Sequence, residues 1–244
     1  MTDCNLEVRG LGAAYGRHVV LKDVSIRLPA GEWFALMGPN GCGKSTLLDC
    51  IAGKLAPIAG DIRIAGHSLL TDPANAKREL GYACAPESLP PLLTARQCFE
   101  VHAGAKGLPA VDPDLMRLAE ELKFLPYMES FVDTLSLGTR QKLAVLLSLM
   151  GDPKLIVFDE AFNGLDPASS LALKRHLRWR LKDRGASLVL ATHALDIVEH
   201  YADHAALLLD GALTREWAKS EIEEMRMSRR EFDSALAATP PNVS

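Results

Sequence analysis

The sequence predicts an α/β fold, in which helices cover a mainly parallel sheet. Two unbroken apolar runs, Trp33 to Met37 and Leu155 to Phe158, have the composition of central strands that are buried on both faces. Helical and strand patterns alternate after the second run, which is typical of the units that build a parallel sheet. At 244 residues and 48% hydrophobic content, the chain can form one domain with a substantial core.

The N-terminal part predicts strands, and the middle of the chain predicts helices. Residues 5–37 favour short strands with a turn near Pro29, and residues 61–65 alternate as another strand does. From about Ser88 to Met150 the pattern becomes helical. Thr94 and Gln97 have the spacing of a capping box, and Asp112 followed by proline predicts a second helix start.

The C-terminal part predicts a helix from Pro167 to about Arg184, ended by Gly185, and a strand from Ser187 to Thr192. A helix from Leu195 to Tyr201 and a closing hairpin with Asp210-Gly211 at its turn follow. The longer helix carries six basic residues that we expect on a solvated face: Lys174, Arg175, Arg178, Arg180, Lys182 and Arg184.

A glycine-rich segment follows the first apolar run and fits the pattern G-x-x-x-x-G-K-[ST]. In loops of this kind the backbone N–H groups surround the phosphates of a nucleoside triphosphate. The next helix adds the positive end of its dipole. A glycine-rich turn could match by chance, but the predicted strand and helix on either side favour a nucleotide site. Its residues are Gly38, Pro39, Asn40, Gly41, Cys42, Gly43, Lys44, Ser45 and Thr46.

Four side chains are the candidates for the chemistry of this site. We expect Lys44 to reach the β- and γ-phosphates and the Ser45 hydroxyl to bind Mg²⁺. The run Leu155 to Phe158 ends in Asp159-Glu160, at the edge where parallel sheets bind ligands. Asp159 is predicted to hold Mg²⁺, and Glu160 is predicted to act as the general base on the attacking water.

Upstream of the acidic pair, Ser136 is predicted to be the N-cap of a helix with a buried face. At Ser136, Leu137, Gly138 and Thr139 the sequence resembles the signature of the ATP-binding cassette (ABC) family, usually Leu-Ser-Gly-Gly-Gln, from which Leu137 and Thr139 depart. The resemblance implies a P-loop NTPase sheet with an N-terminal antiparallel β subdomain and an inserted helical subdomain. It also implies that this signature contacts ATP held by a second chain.

The same resemblance assigns roles to three further residues. Tyr15 matches the aromatic residue that stacks on adenine. Asp166 matches the loop that links the two sites of a dimer, and it is equally well placed to cap the helix that begins at Pro167. His193 matches the histidine that contacts the γ-phosphate and steadies the attacking water.

One position departs from the family. A glutamine usually follows the strand that contains Gly81 and Tyr82, where it senses Mg²⁺ and couples to the membrane partner. An ungapped count places Ala85 there. If the loop is two residues longer, Glu87 takes this place as a metal ligand, because a carboxylate can bind Mg²⁺.

Charge and composition narrow the cellular context. A net charge of -4 does not favour nucleic acid as a partner. Five cysteines without framework spacing indicate reduced thiols in a cytoplasmic compartment. The N-terminus lacks a secretory pattern, and no apolar stretch approaches the ~20 residues of a membrane span. A transporter built on this chain would therefore take its membrane pore from a separate permease.

The resemblance implies an ATP-hydrolysing ABC transporter subunit that uses ATP and Mg²⁺. We expect a dimer of ABC ATPase chains, with a homodimer favoured, at the cytoplasmic face of the membrane, driving a permease and favouring export. A soluble ABC ATPase without a transport role, or a nucleotide-gated regulatory subunit with weak hydrolysis, are the alternatives. We expect residues 1–220 to form the nucleotide-binding domain, with the helical subdomain at about 86–150, and residues 221–244 to form a C-terminal helix and a disordered tail.

Overall fold

The computed structural model describes residues 4–225 of the chain. Its strands are β1 (Cys4–Tyr15), β2 (His18–Pro29), β3 (Trp33–Met37), β4 (Ala59–Ile64), β5 (His67–Ser68), β6 (Leu80–Ala83), β7 (Leu155–Asp159), β8 (Ser187–Ala191), β9 (His204–Leu209) and β10 (Ala212–Trp217). Its helices are α1 (Lys44–Ile51), α2 (Pro73–Arg78), α3 (Ala95–Lys106), α4 (Pro113–Glu121), α5 (Leu137–Ser148), α6 (Pro167–Arg184), α7 (Leu195–Tyr201) and α8 (Lys219–Met225).

The central sheet has the strand order β10-β9-β3-β8-β7-β6. Strand β3 runs parallel to β8 and β9, and β7 runs parallel to β6 and β8. All residues of β3 and the first four residues of β7 are buried, as the two unbroken apolar runs predict. The prediction of an α/β fold with a parallel sheet is therefore confirmed. The carboxyl ends of β3, β6, β7 and β8 meet at one edge.

The second sheet is antiparallel, with the order β2-β1-β4-β5. Strands β1 and β2 form a long hairpin, and β4 pairs with the other edge of β1. Leu6, Leu11 and Leu28 lie fully buried in the core between this sheet, α1 and the central sheet. The N-terminal antiparallel β subdomain is confirmed, while the short elements β5 and α2 were not predicted.

Helices α3, α4 and α5 lie between β6 and β7 in the chain, so the predicted helical insertion is present. Phe99, Leu118 and Phe124 are buried in the core that these helices share with the central sheet. The capping box is complete: the Thr94 Oγ1 accepts from the Gln97 N–H at 3.2 Å, and the Gln97 side chain accepts from the Thr94 N–H at 2.8 Å. The limits of the insertion at about 86 and 150 stay a prediction.

The C-terminal part closes the central sheet. Strands β9 and β10 form the predicted hairpin, with Asp210 at φ 49° and Gly211 at φ 80°, as a tight turn with positive φ at both central residues requires. Helix α8 reaches into the segment 221–244 that was predicted to form a C-terminal helix and a disordered tail, and residues 226–244 of that segment lie outside the described residues. Among residues 4–225, no helix combines the length and the apolar composition that crossing a bilayer requires.

The prediction of a fully solvated basic face on α6 is wrong at Arg180. This side chain is completely buried, and its Nε lies 2.9 Å from His176 Nε2. Burial lowers the pKa of Arg180 and lowers that of His176 to about 4, so His176 is neutral at pH 7 and accepts this hydrogen bond. Asp152 supplies the counter-charge, with Oδ1 at 3.4 Å from Arg180 Nη1 and Oδ2 at 3.3 Å from Arg184 Nη1. Helical spacing alone does not reveal this, because the acidic partner comes from the loop before β7.

We expect Asp152→Asn to destabilise the fold by about 1.5–3 kcal/mol, because it removes the counter-charge of a buried arginine and keeps the shape of the side chain. For a chain of this size the melting temperature should fall by roughly 3–10 °C in a thermal unfolding scan. Asp210→Asn is the matched control, since Asp210 also has positive φ (49°) but is exposed. Equal melting temperatures for the two variants would show that Arg180 does not depend on Asp152.

Candidate functional site

The predicted phosphate loop connects β3 to α1 at the carboxyl edge of the central sheet. Its backbone has positive φ at Gly38 (152°), Gly41 (80°) and Gly43 (110°). A Cβ atom on Gly38 would lie 2.4 Å from the carbonyl oxygen of Leu208, closer than real atoms approach. Glycine is therefore required at the first turn, both for the backbone conformation and for the space.

Lys44 is buried, with 7% of its surface exposed, and its ammonium is bound by the loop itself. Its Nζ donates to the carbonyl oxygens of Gly38 at 2.8 Å and Pro39 at 3.0 Å. Gly43 has no side chain that could cap α1, so the first N–H groups of the helix remain available. A positive charge and free N–H groups at one place form an anion site that fits a triphosphate.

The two predicted Mg²⁺ ligands from the loop and the central sheet are in contact. Ser45 at the start of α1 donates through Oγ to Asp159 Oδ2 at the end of β7, at 2.7 Å. A hydroxyl and a carboxylate are hard oxygen ligands of the kind that Mg²⁺ takes together with water and substrate phosphates. The donor set therefore fits Mg²⁺.

Glu160, the predicted general base, directly follows β7 and has a left-handed backbone with φ 51°. Its Oε1 lies 2.9 Å from His193 Nδ1, and its Oε2 accepts from Asn163 Nδ2 at 2.8 Å. The Glu160 N–H donates to the carbonyl oxygen of Ala191 at 3.0 Å, which ties this turn to the end of β8. The two residues predicted to act on the attacking water, Glu160 and His193, are thus brought together.

These groups face a cavity of about 620 Å³ beside the loop. It is large enough for a nucleotide, whose sites are typically a few hundred Å³. Ten of the predicted site residues line it: Asn40, Gly41, Gly43, Lys44, Ser45, Thr46, Glu87, Leu137, Asp159 and Glu160. The sequence prediction therefore identifies most of the residues that line this cavity.

The segment after β6, where the sequence departs from the family pattern, lines the same cavity. Ala85 and Glu87 both line it, and Glu87 belongs to a short 3₁₀ turn at Pro86–Ser88. Both side chains are exposed. Either residue can thus face a bound nucleotide, and the role of Glu87 as a metal ligand stays a prediction.

Other predicted residues support the loop or lie beside the cavity. Tyr15 is the last residue of β1 and is about half exposed; within the part of the chain that the structure describes, it does not line the cavity. Pro39 accepts from Lys44, and Cys42 is buried against the loop, where burial raises the pKa of its thiol. Cys42 therefore remains a thiol that packs, without the reactivity of a thiolate. Stacking of Tyr15 on adenine stays a prediction.

The four signature residues begin α5, as predicted. Ser136 is its N-cap and accepts from the Thr139 N–H at 3.2 Å, while the two hydroxyl oxygens lie 2.8 Å apart. Leu137 is 55% exposed at the cavity wall. Gly138 lies against the loop after β7, because a Cβ there would be 2.7 Å from the carbonyl oxygen of Gly164. Contacts within this chain therefore already require glycine at position 138 of the signature.

Asp166 caps α6, as one of its two predicted roles requires. Its carboxylate accepts from the Ser169 N–H at 2.9 Å and the Ser169 hydroxyl at 2.6 Å, and from Lys142 Nζ at 2.9 Å. Ser169 and, to a smaller degree, Lys142 hold the pKa of Asp166 well below its usual range. Because Lys142 belongs to α5, this loop is tied to the signature helix in the same chain. The role of Asp166 across a dimer stays a prediction.

Sequence reasoning missed three polar residues that line the cavity: Tyr82, Gln141 and Asn163. Tyr82 could have been found, since it lies on β6 at the edge where β7 ends in Asp159. Its hydroxyl donates to Asp49 Oδ1 at 3.4 Å, and Lys54 Nζ lies 4.0 Å from its ring centroid. Gln141 gives no local signal, because its position depends on how α5 packs.

Comparison with known proteins identifies the family. The family model described as ABC transporter matches residues 21–163. The ABC-type transporter ATP-binding protein EcsA of Bacillus subtilis is 32% identical over 90% of this chain and 89% of its own length. The human ATP-binding cassette sub-family A member 10 is 33% identical over 81% of this chain, and the chain spans only 13% of that protein.

Two solved structures have the same fold. An ATP-binding subunit of an ABC transporter superposes with a TM-score of 0.84 at 30% identity, covering 95% of this chain and 97% of the other. The ATP-binding cassette MJ0796, described as a dimer in a post-hydrolysis state bound to ADP and Pi, gives a TM-score of 0.76 at 25% identity, covering 88% and 98%.

Proposed function

The chain belongs to the ABC transporter family, and on that premise we propose that it binds and hydrolyses ATP as the energy-supplying subunit of a transporter. The observation that carries the proposal is the arrangement at the carboxyl edge of the central sheet. Ser45 lies 2.7 Å from Asp159, and the adjacent Glu160 lies 2.9 Å from His193. Lys44, Ser45, Asp159 and Glu160 line one cavity, and His193 reaches it through its contact with Glu160. Phosphate binding, metal binding and proton transfer are thus combined in one site.

Each residue has a defined part in the proposed reaction. Lys44 and the N–H groups of the loop bind the β- and γ-phosphates and stabilise the charge that develops on the γ-phosphate. Glu160 accepts a proton from the water that attacks the γ-phosphorus, and the bond from that phosphorus to the β-γ bridging oxygen breaks, so that ADP leaves with the electron pair. His193 orients the Glu160 carboxylate and contacts the γ-phosphate. When bound through Ser45 and Asp159, Mg²⁺ neutralises negative charge on the phosphates.

We propose that two chains close around two ATP molecules. Leu137 and the N-terminus of α5 are exposed, so the signature can reach an anion held by a second copy. MJ0796, which the chain resembles over 88% of its length, is described as a dimer. ATP would favour the closed dimer because it binds that state more tightly than the open one.

We propose that a separate membrane permease completes the transporter at the cytoplasmic face, with export as the direction. EcsA is named as the ATP-binding protein of an ABC-type transporter, which supports a role in transport. A soluble ABC ATPase without a permease and a nucleotide-gated regulatory subunit are the alternatives. Hydrolysis is favoured over nucleotide gating because one cavity is lined by Lys44, Asp159 and Glu160, and His193 contacts Glu160.

The proposal is tested by measuring phosphate release from ATP together with the mass of the protein in sedimentation equilibrium. We expect Mg²⁺-dependent phosphate release and ATP-dependent dimers. When EDTA replaces Mg²⁺, no phosphate release is expected. ATP binding without hydrolysis would favour the regulatory alternative. Full hydrolysis by a strict monomer would refute the shared site.

The transport assignment needs a second measurement. A multi-span membrane protein encoded beside this gene would be co-expressed, and the ATPase rate of the detergent-purified complex would be compared with that of the chain alone. A stable complex with an altered ATPase rate is expected. If no neighbouring membrane protein binds the chain, the soluble alternative is favoured.

A further inference from the structure

We propose that Asn163 is a positioning residue that holds the Glu160 carboxylate in its orientation for hydrolysis. The inference rests on the proposed ATPase function and extends it to a residue that the sequence analysis did not select. Asn163 Nδ2 donates to Glu160 Oε2 at 2.8 Å, while His193 Nδ1 lies 2.9 Å from the other oxygen, Oε1. The carboxylate is therefore held at both oxygens by two different segments of the chain.

The turn after β7 gives Asn163 this position. The Asn163 N–H donates to the Glu160 carbonyl oxygen at 2.9 Å, so the chain reverses within four residues and returns the Asn163 amide to the carboxylate. Between them, Phe162 stacks on the fully buried Trp33, with ring centroids 6.3 Å apart and an angle of 14° between the rings. Lys174 of α6 has its Nζ 5.5 Å from the Phe162 ring centroid. The turn is thus anchored to the core by the residue next to Asn163.

The need for a second hydrogen bond follows from the exposure of the two partners. The His193 side chain is 69% exposed against 26% for Glu160, so packing does little to fix the histidine, and a second hydrogen bond is needed to hold the carboxylate in one orientation. One hydrogen bond allows the carboxylate to rotate about it, whereas bonds at both oxygens define its plane. A carboxylate has about four acceptor positions, so two bonds still leave room for the proton of the attacking water.

The expected result of Asn163→Ala is a fall in kcat for ATP of about 10- to 100-fold, the size of one lost hydrogen bond to a charged group. The KM for ATP should change less than about 2-fold, because the phosphate contacts of Lys44 and the loop remain. Asn163→Asp should lower kcat further, since it sets a second carboxylate against Glu160. Asn163→Gln keeps the amide donor and should recover part of the loss.

A double-mutant cycle separates positioning from a general structural effect. In the Glu160→Gln background, adding Asn163→Ala should change the residual rate less than about 2-fold, because Asn163 acts through the glutamate. Asn75→Ala is the matched control: Asn75 also donates to a carboxylate three residues earlier, at 3.0 Å to both oxygens of Asp72, and lies outside the cavity. This control should keep the wild-type kcat.

Two failures can be told apart. If the unaltered chain hydrolyses no ATP, the proposed function is wrong. If the unaltered chain and Asn75→Ala hydrolyse ATP and Asn163→Ala does so at the same kcat, the positioning role alone is overturned. The positioning role is also overturned if Asn163→Ala lowers the rate equally with and without the Glu160 side chain.

Discussion

Replacing Glu160 with glutamine is expected to lower ATP turnover by on the order of 10²–10⁴-fold, the contribution of a positioned general base. Glutamine has nearly the same shape as glutamate but cannot accept a proton from water at neutral pH. ATP binding should stay close to that of the unaltered chain, because Lys44, Ser45 and Asp159 are unchanged and the loop is held by its own hydrogen bonds. Single-turnover phosphate release and equilibrium nucleotide binding measure the two effects separately.

The same variant should accumulate as a closed dimer in ATP, since hydrolysis is the step that reopens the proposed interface. Sedimentation with ATP and with ADP would reveal this, with dimers expected in ATP alone. Glu120→Gln is the matched control for the chemical change, because Glu120 is an exposed acidic residue of α4 that does not line the cavity. Near-normal turnover in the Glu160 variant would exclude Glu160 as the base.

Lys44→Ala is expected to raise the dissociation constant for ATP by about 10- to 100-fold, as the loss of a hydrogen-bonded charge at the phosphates predicts. The variant also removes the hydrogen bonds to the carbonyl oxygens of Gly38 and Pro39, which hold the loop in shape. Both effects act on binding, whereas Glu160→Gln acts on turnover. Isothermal titration calorimetry with ATP in EDTA measures binding without hydrolysis.

Lys182→Ala is the control for the change in net charge, because Lys182 is exposed on α6 and lies outside the cavity. Its affinity for ATP should match that of the unaltered chain. If Lys44→Ala binds ATP as tightly as this control does, the loop does not bind the phosphates in the predicted way. A loss of folding in Lys44→Ala would be recognised by circular dichroism, and Lys44→Arg would then test the position with its charge retained.

Local signals account for most of what could be predicted from the sequence. Thr94, Asp112, Ser136 and Asp166 cap helices at the predicted positions, because a cap depends on residues a few positions apart. Strands β3 and β7 are predicted by apolar runs of the kind that suits a parallel sheet covered on both faces. Their ends identified the phosphate loop and the acidic pair.

Features that depend on packing between distant segments could not be predicted. Arg180 is buried because Asp152 and His176 meet it, and no pattern within α6 reveals that encounter. The contact of Asn163 with Glu160 is local in the chain, but it lies in a turn that begins with a left-handed backbone at Glu160, which is uncommon for a residue with a side chain and gives no clear sequence signal. The choice between Ala85 and Glu87 stays open for a similar reason, since both residues reach the cavity.

The contact between Gly138 and the carbonyl oxygen of Gly164 affects how inactive variants from a genetic screen are interpreted. Any side chain at position 138 would push against the backbone that carries Asn163 and Asp166, because its Cβ would lie 2.7 Å from that oxygen. Such a variant would lose activity even if two chains never met. A null phenotype at this glycine therefore cannot serve as a diagnosis of failed dimerisation. The exposed Leu137 beside it is the better position for a cross-linking probe of the interface.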